Sequence, residues 1–244
     1  MTHELKIAMW SGPRNISTAL MRSWENRSDT VVCDEPLYAH YLNETGLEHA
    51  MRDEVIASQP TDWRAVATHL TEPNPGGVRV HYQKHMAHHL LDGVGRGWLS
   101  RLVNCFLIRE PRGMLPSLDQ KLPNPRLEDT ALPQQVALFK AERERTGETP
   151  PVIDSKDVLL DPRGVLGALC DRLGLPFEEA MLSWPKGPRS TDGVWASHWY
   201  GNVEESTGFG PYRASEAALP AHLAAKYDEC LALYETLHTH RITT

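Results

Sequence analysis

The sequence predicts a three-layer α/β fold, with helices on both faces of a central parallel sheet of about five strands. Three observations carry this. The strand-like runs are near-continuously apolar, as expected when a sheet is covered on both faces. Most are followed by a stretch of helical character, the alternation that builds parallel sheets. The 244 residues, 41% hydrophobic and 23% charged, suit one domain with a substantial core.

The first strand is expected over Lys6–Trp10, followed by a turn at Ser11–Asn15 and a helix from Ser17 to about Asn26. The second runs Thr30–Glu35 and stops at Pro36. The third covers Val78–Lys84 after a Pro/Gly loop at Pro73–Gly77. The fourth spans Arg101–Arg109 around the core LVNCFLI, and the fifth Pro151–Ser155, with a helix from about Pro162 to Leu173. Residues 184–213 differ in kind. They are rich in Gly, Ser, Trp and Tyr and lack either period, which suits a lid or an acceptor-binding loop. Beyond them, Leu219, Leu223, Tyr227, Leu231, Tyr234 and Leu237 recur at spacings of three and four, predicting an amphipathic C-terminal helix over 214–241. No repeat or low-complexity segment interrupts residues 1–244, read as a single domain.

Composition excludes several classes of function. The net charge is −7, with no basic face for nucleic acid. No apolar stretch approaches the roughly 18 residues that would suggest a membrane span, and the N-terminus lacks the basic and apolar regions of a signal peptide. Cys33, Cys105, Cys170 and Cys230 are far apart in the chain, so reduced core thiols and a cytoplasmic location are expected. His81, His85, His88 and His89 are clustered. A helix would place His85 and His89 on one face, but no Cys or carboxylate lies within the run to complete a ligand set. They are read as packed or solvated histidines, and no metal is expected.

Two local patterns point to an anionic ligand. The first strand runs into SGPRNISTALM. A strand, a tight turn and a helix N-terminus aim several backbone N–H groups at one point, where the helix dipole favours negative charge. Arg14 adds a full charge; Ser17 and Thr18 add hydroxyls. A plain capped helix with Ser17 as its cap is the bland alternative. The string is not a Walker A loop, because Gly-Lys-Ser/Thr is absent. The fourth strand ends IREPRGMLPSLDQ. Pro111 suits the first position of a following helix, so Arg109 at the strand end and Ser117 within two turns can approach one phosphate. A surface ion pair is the bland alternative for Arg109.

Pro13-Arg14-Asn15-Ile16-Ser17-Thr18-Ala19-Leu20 resembles the 5′-phosphosulfate loop of sulfotransferases that use 3′-phosphoadenosine 5′-phosphosulfate (PAPS). The pairing of Arg109 with Ser117 eight residues on is similar to that family's 3′-phosphate motif. The likeness continues through DSKDVLLDPRGVLGALCDRLGLPFEEAMLSW, which resembles the family's fifth-strand region. It implies a P-loop, nucleotide-kinase-like fold and a PAPS site formed by Arg14, Asn15, Ile16, Ser17, Thr18, Arg109 and Ser117, with Arg14 also acting on the leaving oxygen. Asn15 stands where the family writes Ser, and Ile16 where it writes Gly. Ile disfavours positive φ, so the loop bends differently or Ile16 keeps an ordinary conformation. The family's closing Arg-Lys-Gly string is absent; Ser206-Thr207-Gly208 and Arg213 are candidate replacements.

The implied reaction moves a sulfuryl group from PAPS to a hydroxyl or amine of a small acceptor, without metal. It needs a base for the acceptor proton. Glu35, in CDEPLYAHYL, resembles the base region of heparan-type sulfotransferases. His85 is the second candidate, by likeness to the Lys-x-His of cytosolic sulfotransferases, although here Lys84 and His85 are adjacent. Lys84 could assist the leaving phosphate, and Glu35 could instead pair with Arg14. Two other functions stay open: a small-molecule kinase using ATP, disfavoured by the missing lysine, and a non-catalytic nucleotide-binding protein on the same fold. The sequence specifies neither the acceptor nor an oligomeric state.

Overall fold

The computed structural model describes residues 4–214 and 219–244. Five strands form one sheet: β1 (Leu5–Ser11), β2 (Thr30–Asp34), β3 (Val80–Met86), β4 (Val103–Ile108) and β5 (Val152–Asp154). Their order is β2-β3-β1-β4-β5, and every pair is parallel. The predicted α/β architecture is therefore present, with strand positions within about two residues of expectation. Because β1 pairs with β3 on one side and β4 on the other, the chain departs in opposite directions around the C-terminal end of β1. In open α/β sheets that switch point is where ligands collect.

The helices are α1 (Ser17–Glu25), α2 (Tyr38–Thr45), α3 (Arg52–Ser58), α4 (Trp63–Thr71), α5 (Pro111–Asp119), α6 (Leu132–Thr146), α7 (Ser155–Leu160), α8 (Pro162–Arg172), α9 (Ala196–Trp199), α10 (Gly201–Glu204) and α11 (Ala224–His238). Side-chain alternation divides β1 between two cores. Ile7 and Met9 pack with Leu20, Met21, Trp24 of α1 and Leu166 and Leu169 of α8. Ala8 and Trp10 face the other way, onto a core that includes Leu70 of α4, Phe139 of α6 and Tyr234 and Leu237 of α11. Trp24 and Tyr82 stack across the first core at 5.2 Å. A fully buried side chain of this size contributes on the order of 2–3 kcal/mol, so both faces of β1 are anchored.

The C-terminal helix is shorter than predicted. It begins at Ala224, after Pro220 and a single 3-10 turn at Ala221–Leu223. Proline keeps its predecessor out of the helical region, which breaks the expected run; residues 215–218 of that run lie outside the described residues. Residues 184–213 fold into two short helices, α9 and α10, joined by irregular chain. Their Trp195, Ala196 and Tyr200 form a third core with Tyr38, Ala39, Tyr41 and Leu42 of α2 and Val55 of α3. All four cysteines are free thiols. Among the described residues no helix is long and apolar enough to cross a membrane.

Candidate functional site

A cavity of about 620 Å³ opens at the C-terminal ends of β1, β2, β3 and β4, a size typical of small-molecule sites. One end is built by the turn between β1 and α1. Gly12 is required there, because a Cβ at that position would lie 2.6 Å from the Thr130 carbonyl oxygen. Arg14 takes the left-handed conformation at φ 55°, while Ile16 stays at φ −86°. The bend that glycine would allow at residue 16 is therefore displaced to Arg14, and Ile16 packs partly buried against the core beneath α1.

Within this turn the side chains divide by task. Asn15 accepts from the Ile16 N–H at 2.9 Å and donates to the Leu107 carbonyl at 3.1 Å, tying the turn to β4. The side-chain amide thus braces the turn, while Asn15 itself lines the cavity. Ser17 is not a side-chain cap either; Ile16 holds the cap position without a side-chain bond. Ser17, Thr18 and Ala19 occupy the first helical turn and line the cavity, and the N–H groups of a first turn have no partner within the helix.

The second motif closes on the first. Arg109 follows β4, and Pro111 opens α5 at its first position, as predicted. Arg14 donates from Nε to Ser117 Oγ at 2.9 Å, and Arg109 donates to the Arg14 carbonyl. Burial lowers the Arg109 pKa, and the Arg14 charge lowers it further. Neither guanidinium is ion-paired with a carboxylate among the described residues. Two mutually repelling cations beside a helix N-terminus are suited to hold an anion. Ser117 serves it by holding Arg14; it does not itself line the cavity.

The other end of the cavity is saturated rather than open. Lys84 is 1% exposed and donates to Asp34 Oδ1 at 2.8 Å, Glu35 Oε1 at 2.5 Å and the Tyr200 hydroxyl at 2.8 Å. Three donors are all an ammonium has, so Lys84 has none left for a leaving phosphate, and Glu35 pairs with it instead of Arg14. Asp34 also accepts from Tyr200 Oη at 2.7 Å and from the Gly193 N–H at 3.1 Å. Burial alone would lower the Lys84 pKa, but Asp34 and Glu35 outweigh it and hold it well above the ordinary lysine value. Burial raises the Glu35 pKa despite Lys84, with the neighbouring Asp34 charge adding to it. Glu35 adopts φ 40°, a conformation costing on the order of 1–2 kcal/mol in a residue with a Cβ. Its N–H extends the ladder to the Lys84 carbonyl at 2.9 Å, and Gln59 donates to its carbonyl at 3.3 Å.

His85 does not reach the cavity. Strand alternation sends Lys84 toward it and His85 through the sheet, where the imidazole stacks on Trp10 at 4.2 Å and approaches Gln83 Oε1 at 3.3 Å. Burial lowers its pKa to about 3. The second base candidate is thus a packed core residue. His85 and His89 share no helical face, because β3 extends to Met86 and only a 3-10 turn follows. Among the described residues no group of three His, Cys, Asp or Glu could hold a metal.

Residues 184–213 supply one wall of the cavity. Trp195, Trp199, Tyr200, Ser206, Gly208 and Phe209 line it; Thr207 and Arg213 do not. The segment is latched by Arg22, which is 1% exposed in its side chain and reaches Asp192 at 2.6 Å, and by the Gly193–Asp34 bond. Sequence reasoning passed over Gly12, Asp34 and Gln59. The Asp-Glu-Pro end of β2 was the available signal for Asp34, and nothing local marked the other two.

Known proteins agree with this architecture. The sulfotransferase domain of the Synechococcus PCC 7002 olefin synthase superposes with a TM-score of 0.62 at 20% identity, over 96% of each chain. A sulfotransferase from Alicyclobacillus acidocaldarius gives 0.51 at 15% identity, over 98% of this chain and 97% of that one. Both likenesses are of fold. The Arabidopsis thaliana branched-chain-amino-acid aminotransferase-like protein 1 is 36% identical over 234 residues, 96% of this chain but 42% of that protein; the chain spans less than half the length of this relative. A family model, the sulfotransferase domain, matches residues 5–238, and by that near-complete match the chain belongs to the sulfotransferase-domain family.

Proposed function

We propose that this protein is a PAPS-dependent sulfotransferase acting on the hydroxyl or amine of a small molecule. The observation that carries the reading is the pair of guanidiniums, Arg14 and Arg109, converging at the N-terminus of α1 without a carboxylate ion-pair partner among the described residues. Such a site fits a ligand with two phosphate groups better than a single carboxylate. Arg14 and the first-turn N–H groups of α1 would take the 5′-phosphosulfate. Arg109 would take the 3′-phosphate.

In the reaction, the acceptor oxygen forms a bond to sulfur as the bond from sulfur to the 5′-phosphate oxygen breaks. The leaving phosphate keeps the electron pair, and Arg14 with the α1 N-terminus offsets that growing charge. Glu35 takes the acceptor proton. Its raised pKa makes it a stronger base than an exposed carboxylate, and Lys84 fixes its position through Oε1.

Thermal-shift titration with adenosine 3′,5′-bisphosphate, ATP and GTP tests the donor. Stabilisation by the bisphosphate at concentrations where ATP and GTP do nothing is expected; a larger response to ATP would favour a kinase. Glu35→Gln should keep bisphosphate affinity and lower the transfer rate by about 10².

A further inference from the structure

The α2 end of the cavity contains a group that the reading above leaves without a role. Among the described residues, His89 Nδ1 is buried and has no hydrogen-bond partner. The ring is held between two phenols, stacked on Tyr38 at 4.6 Å and 10° and on Tyr41 at 4.7 Å and 27°. Packing therefore fixes where Nδ1 points. It lies 4.0 Å from Glu35 Oε2, while the other carboxylate oxygen is the one bound by Lys84.

A separation of 4.0 Å is too long for a direct hydrogen bond, yet one oxygen atom can sit about 2.8 Å from both groups. An unpaired buried nitrogen is costly to leave unmade, which argues for a partner that arrives with the ligand. We propose that this gap holds the acceptor oxygen, with His89 as a second catalytic residue beside Glu35, and that the acceptor is an uncharged alcohol or phenol. The inference rests on the sulfotransferase reading and specifies its acceptor site.

In this arrangement the acceptor hydroxyl gives its proton to Glu35 Oε2 as its oxygen bonds to sulfur. The neutral imidazole donates from Nδ1 to the same oxygen and keeps it aligned. Burial holds His89 well below the ordinary histidine range, and the neighbouring His88 reinforces this, so the ring carries no charge near neutral pH. The charge at this end argues the class of acceptor. Glu48 and Asp129 line the cavity with Glu35. Of the nearby cations, Lys84 is fully committed and Arg126 pairs with Asp129 at 2.8 Å. Lys121 is exposed, with its ammonium 5.9 Å over the Trp199 ring. With Glu35 paired to Lys84 and Asp129 to Arg126, and Lys121 set against Glu48, this end presents no excess cation to hold an anionic acceptor, whereas an uncharged planar one finds the aromatic edges of Tyr38, Tyr41 and Trp199.

The test uses the full chain, PAPS, and two probes of similar size, 4-methylphenol and 4-hydroxybenzoate. His89→Phe keeps a ring between the two tyrosines and removes the nitrogen. The expected result is transfer to 4-methylphenol lowered about 10²-fold in kcat, adenosine 3′,5′-bisphosphate affinity within about twofold of wild type, and wild-type preference for 4-methylphenol over 4-hydroxybenzoate. Should His89→Phe fail to fold, His89→Ala serves: its transfer should fall similarly and recover in part with added imidazole, a response that a purely structural role would not give. Undiminished transfer in His89→Phe, absence of imidazole rescue in a folded His89→Ala, or preference for 4-hydroxybenzoate would overturn the proposal and leave the donor reading intact. Loss of bisphosphate binding in the wild type would instead remove the sulfotransferase reading. Bisphosphate binding with no sulfate transfer to 4-methylphenol or to water would overturn both.

Discussion

The two ends of the cavity are built on opposite electrostatic plans. At the β1 and β4 end, Arg14 and Arg109 lie close together with no ion pair to a carboxylate among the described residues, braced by Ser117 and a backbone carbonyl. At the β2 and β3 end, every proton of Lys84 is matched by an oxygen of Asp34, Glu35 or Tyr200. One end leaves its cations unpaired; the other pairs its lysine completely. The difference teaches how a chain of net charge −7 can present a cationic site. Asp34 and Glu35 are held at the far end by a buried lysine, and no carboxylate forms an ion pair with Arg14 or Arg109 among the described residues.

Acid should destabilise the fold through the histidines buried along β3 and in the turn after it. Burial holds His88 and His81 at about 4 and His85 at about 3, against an ordinary value near 6.5. The unfolded chain therefore binds protons that the folded chain refuses. This stability is fully present above about pH 6.5 and is lost as the pH falls through the window down to about 4, at about 1.4 kcal/mol per pH unit for each histidine. Several kcal/mol should disappear between pH 7 and pH 5 in urea unfolding. A flat midpoint over that range would mean these rings are hydrated.

Lys84→Met sharpens the contrast. It strands Asp34, 2% exposed in its side chain, and Glu35, 11% exposed, and should cost about 3–5 kcal/mol of folding stability. Arg109→Ala makes the opposite prediction. It relieves the repulsion with Arg14, so its unfolding midpoint should stay within about 0.5 kcal/mol of wild type. Bisphosphate affinity should fall about 10- to 100-fold, the worth of one charge-assisted contact. If Arg109→Ala destabilised the fold as much as Lys84→Met, the two ends would not differ in kind.

The Arg14–Arg109 end was legible because its parts are local. A strand, a turn and a helix start lie within Leu5–Thr18, and Arg109 and Ser117 share one strand-to-helix junction. Even there the φ assignment moved, since only the folded turn reveals that Arg14 takes the left-handed bend. The other end was barely legible. Its groups come from β2, β3, the turn after β3, and α9–α10, and no spacing in the sequence joins residue 34 to residue 193 or 200. The choice between Lys84 and His85 depends on strand parity. It is set by the register of Met9 against Lys84 and Trp10 against His85, which neighbouring residues do not announce. Gly12 is explained only by a carbonyl at Thr130, well over a hundred residues along the chain.

Asp34 joins two structures that could have been independent. It anchors the lysine that steadies Glu35, and it also fastens the 193–200 wall through the Gly193 amide and the Tyr200 phenol. Peeling that wall away would admit solvent to the charges beneath it, so opening the chamber and loosening Glu35 are a single event. In the sulfotransferase reading proposed above, an undocked wall would act as a safety catch, leaving a bound donor little chance of losing its sulfate to water.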